Sequence, residues 1–264
     1  KYSWGSNIFY YLAGKYSIHP SYIQSMLKDY RYQEEDILAS INYLRDKGGK
    51  FFDYNDLDET RKFYKGRPKG KWDPKTFFKN RDVLILGTGP EFKNHEKAIE
   101  SFIKRKRPVV LAINTNTLPN NDLIDLRIAC HPTRLFADVD KHLKLPQPLI
   151  IPISMLPEEF SKIFEEKEIR DFGIGLSNTH FEFHKSFCII PNALVLSYSL
   201  AVTTSGSARN IYLAGFDGYP EGDSRNDEVN DLLSKYKDSK SDTNVIAITP
   251  TKYKNLISKS VYGI

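Results

Sequence analysis

The feature that most constrains the fold is a change of period near Asp82. From there on the apolar residues come in short runs, DVLILG, PVVLAIN, DLRIAC, PLIIPI, SFCII, RNIYLAG and NVIAIT. Each run is rich in β-branched residues and too short for a helix, so each reads as a strand. Between them lie EFKNHEKAIESFIKRK, LPEEFSKIFEEK, PNALVLSYSLAVTTSG and RNDEVNDLLSKY, each long enough for a crossover helix. Strands that are apolar throughout, alternating with helices, are the pattern of a parallel sheet covered on both faces. Residues 82–264 are therefore expected to form a Rossmann-like α/β domain with a mainly parallel sheet and helices on both faces.

Residues 1–64 read as helices only. Pro20 opens one that carries Tyr22, Ile23, Met26 and Leu27 at helical spacing. QEEDILASINYLRDKGG begins with acids, sets Ile37, Ile41 and Leu44 on one face and stops at Lys47-Gly48-Gly49. A last helix is expected near Asn55. So few short helices bury little alone and should pack on something else. The stretch between, residues 65–81, reads KGRPKGKWDPKTFFKNR, with seven Lys/Arg against one Asp. Its glycines and prolines suggest a basic linker, with phosphate attraction as its second reading.

The formal charge of +5 suits an anionic ligand and does not point to nucleic acid. Cys130 and Cys188 both sit in apolar contexts and are expected to be reduced core residues, which suits the cytoplasm. No run approaches the roughly 18 apolar residues of a membrane span. The opening KYSWGSNIFYYLAG reads as the middle of a folded unit, so the chain is expected to be a piece of a longer polypeptide.

In a doubly wound sheet, ligands bind outside the carboxyl ends of the strands, which directs attention to the loops that follow them. Gly87-Thr88-Gly89-Pro90 follows VLIL and opens a helix, a place where glycines let a ligand approach and a helix start favours an anion; a tight structural turn is the other reading. Asn114 and Asn116, at the end of PVVLAI, can donate to phosphate or ribose oxygens or serve as turn residues. Gly215-Phe216-Asp217-Gly218-Tyr219, with Arg225 close behind, gathers a carboxylate, a phenol and a guanidinium within one loop, more than a turn requires. His131, at the end of DLRIAC, is the best-placed histidine for acid/base work; a structural contact before Pro132 is the other reading. His180 and His184 lie four residues apart, but the alternating Phe181 and Phe183 suit a strand or loop, and no metal site is expected.

These pieces occur together, in this order and at strand ends, in a known family. Residues 82–264 resemble the bacterial CMP-sialic-acid-dependent sialyltransferases and the related hydroxymethylpterin pyrophosphokinase-like domains. The resemblance implies a nucleotide or nucleotide-sugar ligand such as a CMP-sugar, with Gly87, Thr88 and Gly89 of the GTGP turn near ribose and phosphate. It implies further that Asn114 lies near the phosphate, Gly215 near the base, and Asn192, after Pro191, among the small polar contacts. Tyr219 matches a family tyrosine that stabilises the departing phosphate; the second tyrosine's position holds Arg225, which can do that work by charge. The family's histidine base has no counterpart, since residues 220–244 contain no histidine, leaving Asp217 or His131 as proton handlers.

The stretch AGKYSIHPSYIQSMLKDYRYQEEDILASINYL resembles a different group, the helical segment after the TIM barrel in 4-hydroxy-2-oxovalerate aldolase and hydroxymethylglutaryl-CoA lyase-like proteins. That likeness implies an aldolase barrel as partner, in the same polypeptide or another, within bacterial surface-polysaccharide sugar synthesis. The aldolase active site itself is not in this chain. Homo-oligomers are a further expectation, because helices without their barrel leave apolar faces open. Two functions of different class follow: a nucleotide-binding domain attached to an aldolase-like protein, and an active nucleotide-sugar-dependent glycosyltransferase.

Overall fold

The computed structural model describes residues 64–264 apart from 118, 132–134, 136, 137, 157 and 240. The helices expected over 1–64, the aldolase likeness and its barrel partner fall outside the described residues, Tyr64 apart.

The main sheet has eight strands, all parallel. In chain order they are β1 (Asp82–Leu86), β2 (Val109–Ile113), β3 (Leu126–Ile128), β4 (Leu149–Ile151), β5 (Ile169–Asp171), β9 (Asn210–Ala214), β10 (Asn244–Ala247) and β11 (Ile257–Ser258). Their spatial order is β11-β10-β9-β1-β2-β3-β4-β5. The chain lays down β1 to β5 in one direction, then returns to the other side of β1 and adds β9 to β11 outward. The Rossmann-like α/β expectation is met.

The helices between are α1 (Lys75–Phe78), α2 (Pro90–Asn94), α3 (Glu96–Lys106), α4 (Val139–Lys144), α5 (Glu158–Ile163), α6 (Val195–Ser205) and α7 (Ser224–Asp238). The stretch EFKNHEKAIESFIKRK, expected as one helix, is two. His95, at φ −113° and ψ 12°, breaks it between α2 and α3.

Alternation along β1 shows why its run had to be apolar throughout. Val83 and Ile85 join one core cluster, Leu84 and Leu86 the other, and all four are fully buried. On the second face α3 contributes Ile99, Phe102 and Ile103, the i, i+3, i+4 stripe of an amphipathic helix. Each such side chain stabilises by about 1.5–3 kcal/mol on burial. On the first face lies α6, buried on almost every side. Two of its interior hydroxyls are satisfied within the helix: Ser199 Oγ donates to Val195 O at 2.7 Å and Thr203 Oγ1 to Ser199 O at 2.7 Å.

One strand expected in the main sheet belongs elsewhere. SFCII forms β8 (Phe187–Ile190) of a separate three-stranded sheet, order β6-β8-β7, with β6 (Gly173–Leu176) parallel and β7 (Glu182–Phe183) antiparallel to it. The basic stretch 65–81 runs along this small sheet. Lys71 and Trp72 both donate backbone N–H to Asp171 O, at 3.0 and 2.9 Å. Any side chain on Gly70 would start 2.3 Å from Ser186 O, and Trp72 meets Phe78 and Phe172 edge-on.

Candidate functional site

In the spatial order, the direction of winding reverses between β1 and β9, and the crevice outside their carboxyl ends is where this architecture takes ligands. The GTGP turn leaves β1 and the GFDGY turn leaves β9, so the ladder that pairs Leu86 with Ala214 delivers them side by side. They are joined by backbone bonds, Gly87 N to Ala214 O at 2.8 Å and Gly89 N to Gly215 O at 2.8 Å.

The glycines are required by this contact. A Cβ on Gly87 would stand 2.4 Å from Gly215 O, and one on Gly89 would stand 2.5 Å from the Asp217 carboxylate. Gly215 adopts φ +73°, a conformation open to glycine at little cost. Thr88 is half-buried between them and Pro90 is the first residue of α2. The two turns therefore pack on each other, and the glycines expected to admit a ligand also admit a second turn of the protein itself.

Asp217 binds the start of α2. Its Oδ2 accepts the Glu91 N–H at 2.7 Å, so a carboxylate of the protein holds the place where a helix start would favour an anion. Burial raises the Asp217 pKa, opposed by that same amide bond. Its Oδ1 is buried without a hydrogen-bond partner.

On the other side of β1, Asn114 is 6% exposed in a left-handed conformation, φ +49°, with its N–H bonded to Ile128 O and its Oδ1 buried without a partner. Asn116 turns toward the GTGP loop and donates from Nδ2 to Gly87 O at 2.7 Å. Behind it lies a residue that sequence reasoning passed over. Arg127, fully buried on β3, donates to Asn116 O, to Asn121 Oδ1 at 2.7 Å and from Nε to Gln147 Oε1 at 2.8 Å. Burial lowers its pKa to about 10, which leaves it charged at neutral pH. A guanidinium thus fixes the loop after β2, and that loop fixes the loop after β1.

Tyr219 and Arg225 are brought together. The guanidinium carbon lies 3.8 Å from the centre of the phenol ring, within cation–π range, while Asp223 accepts from Nε and Nη2 at 2.9 and 2.6 Å. Asp223 also caps α7 by accepting the Arg225 N–H. Asn226 clamps the turn, accepting from Tyr219 N at 2.8 Å and donating to Tyr219 O at 3.2 Å.

The loop after β10, TPTKY, was also missed. Thr249 Oγ1 accepts from Gly215 N at 3.0 Å, Thr251 Oγ1 donates to Phe216 O at 2.7 Å, and Lys252 N donates to Asp217 O at 2.8 Å. Lys252 Nζ reaches Tyr219 O at 3.2 Å. Burial pushes the Tyr253 phenol well up, and Tyr219 and Asp217 add to the shift, which places all three in one neighbourhood. A Thr-x-Thr-Lys-Tyr run after an apolar strand was the available signal.

Two expected site residues lie apart from this cluster. His131 is buried at the end of β3, two strands from β1, and Asn192 stands near it, since Cys130 Sγ donates to the carbonyl of Ala193 at 3.4 Å. Asn192 Oδ1 accepts from Ser197 Oγ and Leu194 N, which starts α6. His180 and His184 flank Glu182 at 2.8 and 3.0 Å, and their hydrogen bonds lower its pKa. Among the described residues no group of three metal-binding side chains converges, and no helix is long and apolar enough to cross a membrane.

No protein-family model matches the chain, and no curated protein matches it in sequence. Among solved structures it is similar to the MAf glycosyltransferase from Magnetospirillum magneticum AMB-1, with a TM-score of 0.55 and 13% identity. The likeness is one of fold. It covers 88% of this chain and 43% of that one, so the chain spans less than half the length of the protein it matches.

Proposed function

We propose that residues 82–264 form a glycosyltransferase-type domain that binds a nucleotide sugar outside the carboxyl ends of β1 and β9. One observation carries the reading: two buried acceptor oxygens, Asn114 Oδ1 and Asp217 Oδ1, flank the GTGP turn without hydrogen-bond partners. A buried acceptor left unsatisfied costs about 1–3 kcal/mol, and a ligand that brings hydroxyl or amino donors removes that cost once the turns shift to let it reach them. A nucleoside brings both. The phosphates belong on the Arg225 and Lys252 side, because Asp217 would repel them from the start of α2. Tyr219 and Arg225 then stabilise the leaving phosphate, and Asp217, with its raised pKa, is the nearer of the two proton-handling candidates. The fold shared with a glycosyltransferase supports this reading.

The test is a thermal-shift screen of CMP, UDP, GDP and ATP, followed by calorimetry. Arg225→Ala is expected to weaken the best ligand by more than about 1.5 kcal/mol, the scale of a charge-assisted hydrogen bond, and Asn114→Ala by about 1 kcal/mol. No stabilisation by any of the four, or unchanged affinity in both variants, refutes the proposal. The lack of histidine over 220–244 favours, as a second reading, a domain that holds the nucleotide without transferring its sugar. Release of free nucleotide from the bound sugar nucleotide separates the two.

A further inference from the structure

The edge of the sheet opposite the candidate site concentrates positive charge. Lys75, Lys79 and Arg81 lead into β1, Lys104–Arg107 into β2 and Arg209 into β9, all of them exposed, whereas Lys71 lies at the other end, where its N–H bonds to Asp171 O at the close of β5. The ladder arranges part of this charge in a row. Asp82 pairs with Asn210 and Val83 with Val109, which sets Arg81, Arg209 and Arg107 at one register position just before three adjacent parallel strands. Arg209 N donates to Arg81 O at 2.8 Å, continuing the ladder one step outward. At about 4.8 Å per strand the row is about 10 Å wide.

All three arginines are exposed, as are Lys79, Lys104 and Lys106 beside them. Three carboxylates at this edge are engaged, while Asp242, just before β10, is exposed. Asp82 accepts from Arg209 Nε and Nη2 at 2.8 and 2.6 Å, Asp125 accepts from Val110 N, and Glu100 lies 3.8 Å from Lys104. Lys79, Arg81, Lys106 and Arg107 have no ion-pair partner among the described residues.

We infer that this edge docks on an anionic lipid surface. The charges stand side by side where strands begin. The aromatic residues nearby are turned inward, Trp72 onto Phe78 and Phe172, and Phe77 beneath Arg81, so they offer no platform for unstacked bases. The one helix lying within the basic segment, α1, is a single turn of four residues, too short to fill a major groove. A basic residue close to an anionic bilayer adds about fivefold to partitioning, so four without partners amount to several hundredfold. Docked this way, the protein holds its candidate site about one strand length, roughly 17 Å, farther from the bilayer.

The experiment is co-sedimentation of the full chain with phosphatidylcholine vesicles, with and without phosphatidylglycerol. Binding is expected only with the anionic lipid and should vanish as salt rises from about 0.1 to 1 M, where the screening length falls from about 10 to about 3 Å. Arg81→Glu/Arg107→Glu, a change of four charges, is expected to weaken it by several hundredfold, and Lys106→Gln/Arg107→Gln, a change of two, by about 25-fold. Lys254→Glu/Lys259→Glu, the same charge change beyond β10, is expected to change it by less than about twofold, since neither residue lies at the docking edge. The inference is overturned by equal loss in this control, by no dependence on the anionic lipid, or by binding to heparin or duplex DNA without binding to vesicles.

Discussion

Gly87→Ala tests whether the two turns of the candidate site are held by their mutual contact. The added methyl would begin 2.4 Å from Gly215 O and 2.9 Å from Gly215 C, both backbone atoms, so no side-chain rotation relieves it. Restoring ordinary contact requires the turns to part by about 1 Å, which stretches the bonds from Gly87 N and Gly89 N, each now 2.8 Å, beyond hydrogen-bonding range. Losing two backbone bonds costs about 2 kcal/mol, and overpacking adds about 1–3 kcal/mol. The reduced freedom of the unfolded chain returns about 0.4–1 kcal/mol. The net expectation is a loss of about 3 kcal/mol. Urea unfolding measures it, with Gly222→Ala as comparison: Gly222 has φ +81° and open space around its Cβ position, so only backbone strain of about 1–2 kcal/mol applies there. If Gly87→Ala proves no more costly than Gly222→Ala, the turn–turn contact does not hold the site together.

Asp217→Asn keeps an oxygen for the Glu91 N–H and removes a charge whose burial is unfavourable. Because the folded-state pKa of Asp217 is raised, its contribution to stability is present below the unfolded carboxylate pKa and lost as pH rises through the folded value. The variant should therefore lose this part of the pH dependence in unfolding measurements and be no less stable than the parent at neutral pH; a marked loss there contradicts the assignment. Arg127→Met leaves Gln147 Oε1, Asn121 Oδ1 and Asn116 O without their donor and should destabilise by about 3 kcal/mol or more, read in the same urea assay. It should also weaken the proposed nucleotide binding, since Asn116 holds Gly87 O; full affinity in a folded variant refutes the link from Arg127 to the site.

The strands that bury both faces were legible because burial itself makes their runs apolar, as in VLIL and VVLAI. The strands that escaped are short or poor in apolar residues. β5 reads Ile-Arg-Asp, and β6 carries Gly173 and Gly175 because the backbone of Lys69 and the ring of Pro68 press against it. No periodicity announces such packing. Tyr219 and Arg225 could be paired from sequence because one turn separates them. Arg127 could not: a single arginine in DLRIAC gives no hint that its partners, Asn116, Asn121 and Gln147, come from three surrounding segments. Nor could the turn residues reveal that Gly87 and Gly89 answer to Gly215 and Asp217.

The bond from Glu91 to Asp217 joins residues 126 positions apart in the chain. Such a contact closes late, after the loop entropy of the intervening segment has been overcome, and it depends on β9 finding its place beside β1 when β2 already occupies the other side. A chain released from the ribosome before β9 has emerged can build β1 to β5 yet owns only half of the crevice. Under the proposed function, competence to hold a ligand is thereby reserved for molecules whose chain from Asn210 onward has docked, and a bound nucleotide would serve as a mark of finished folding.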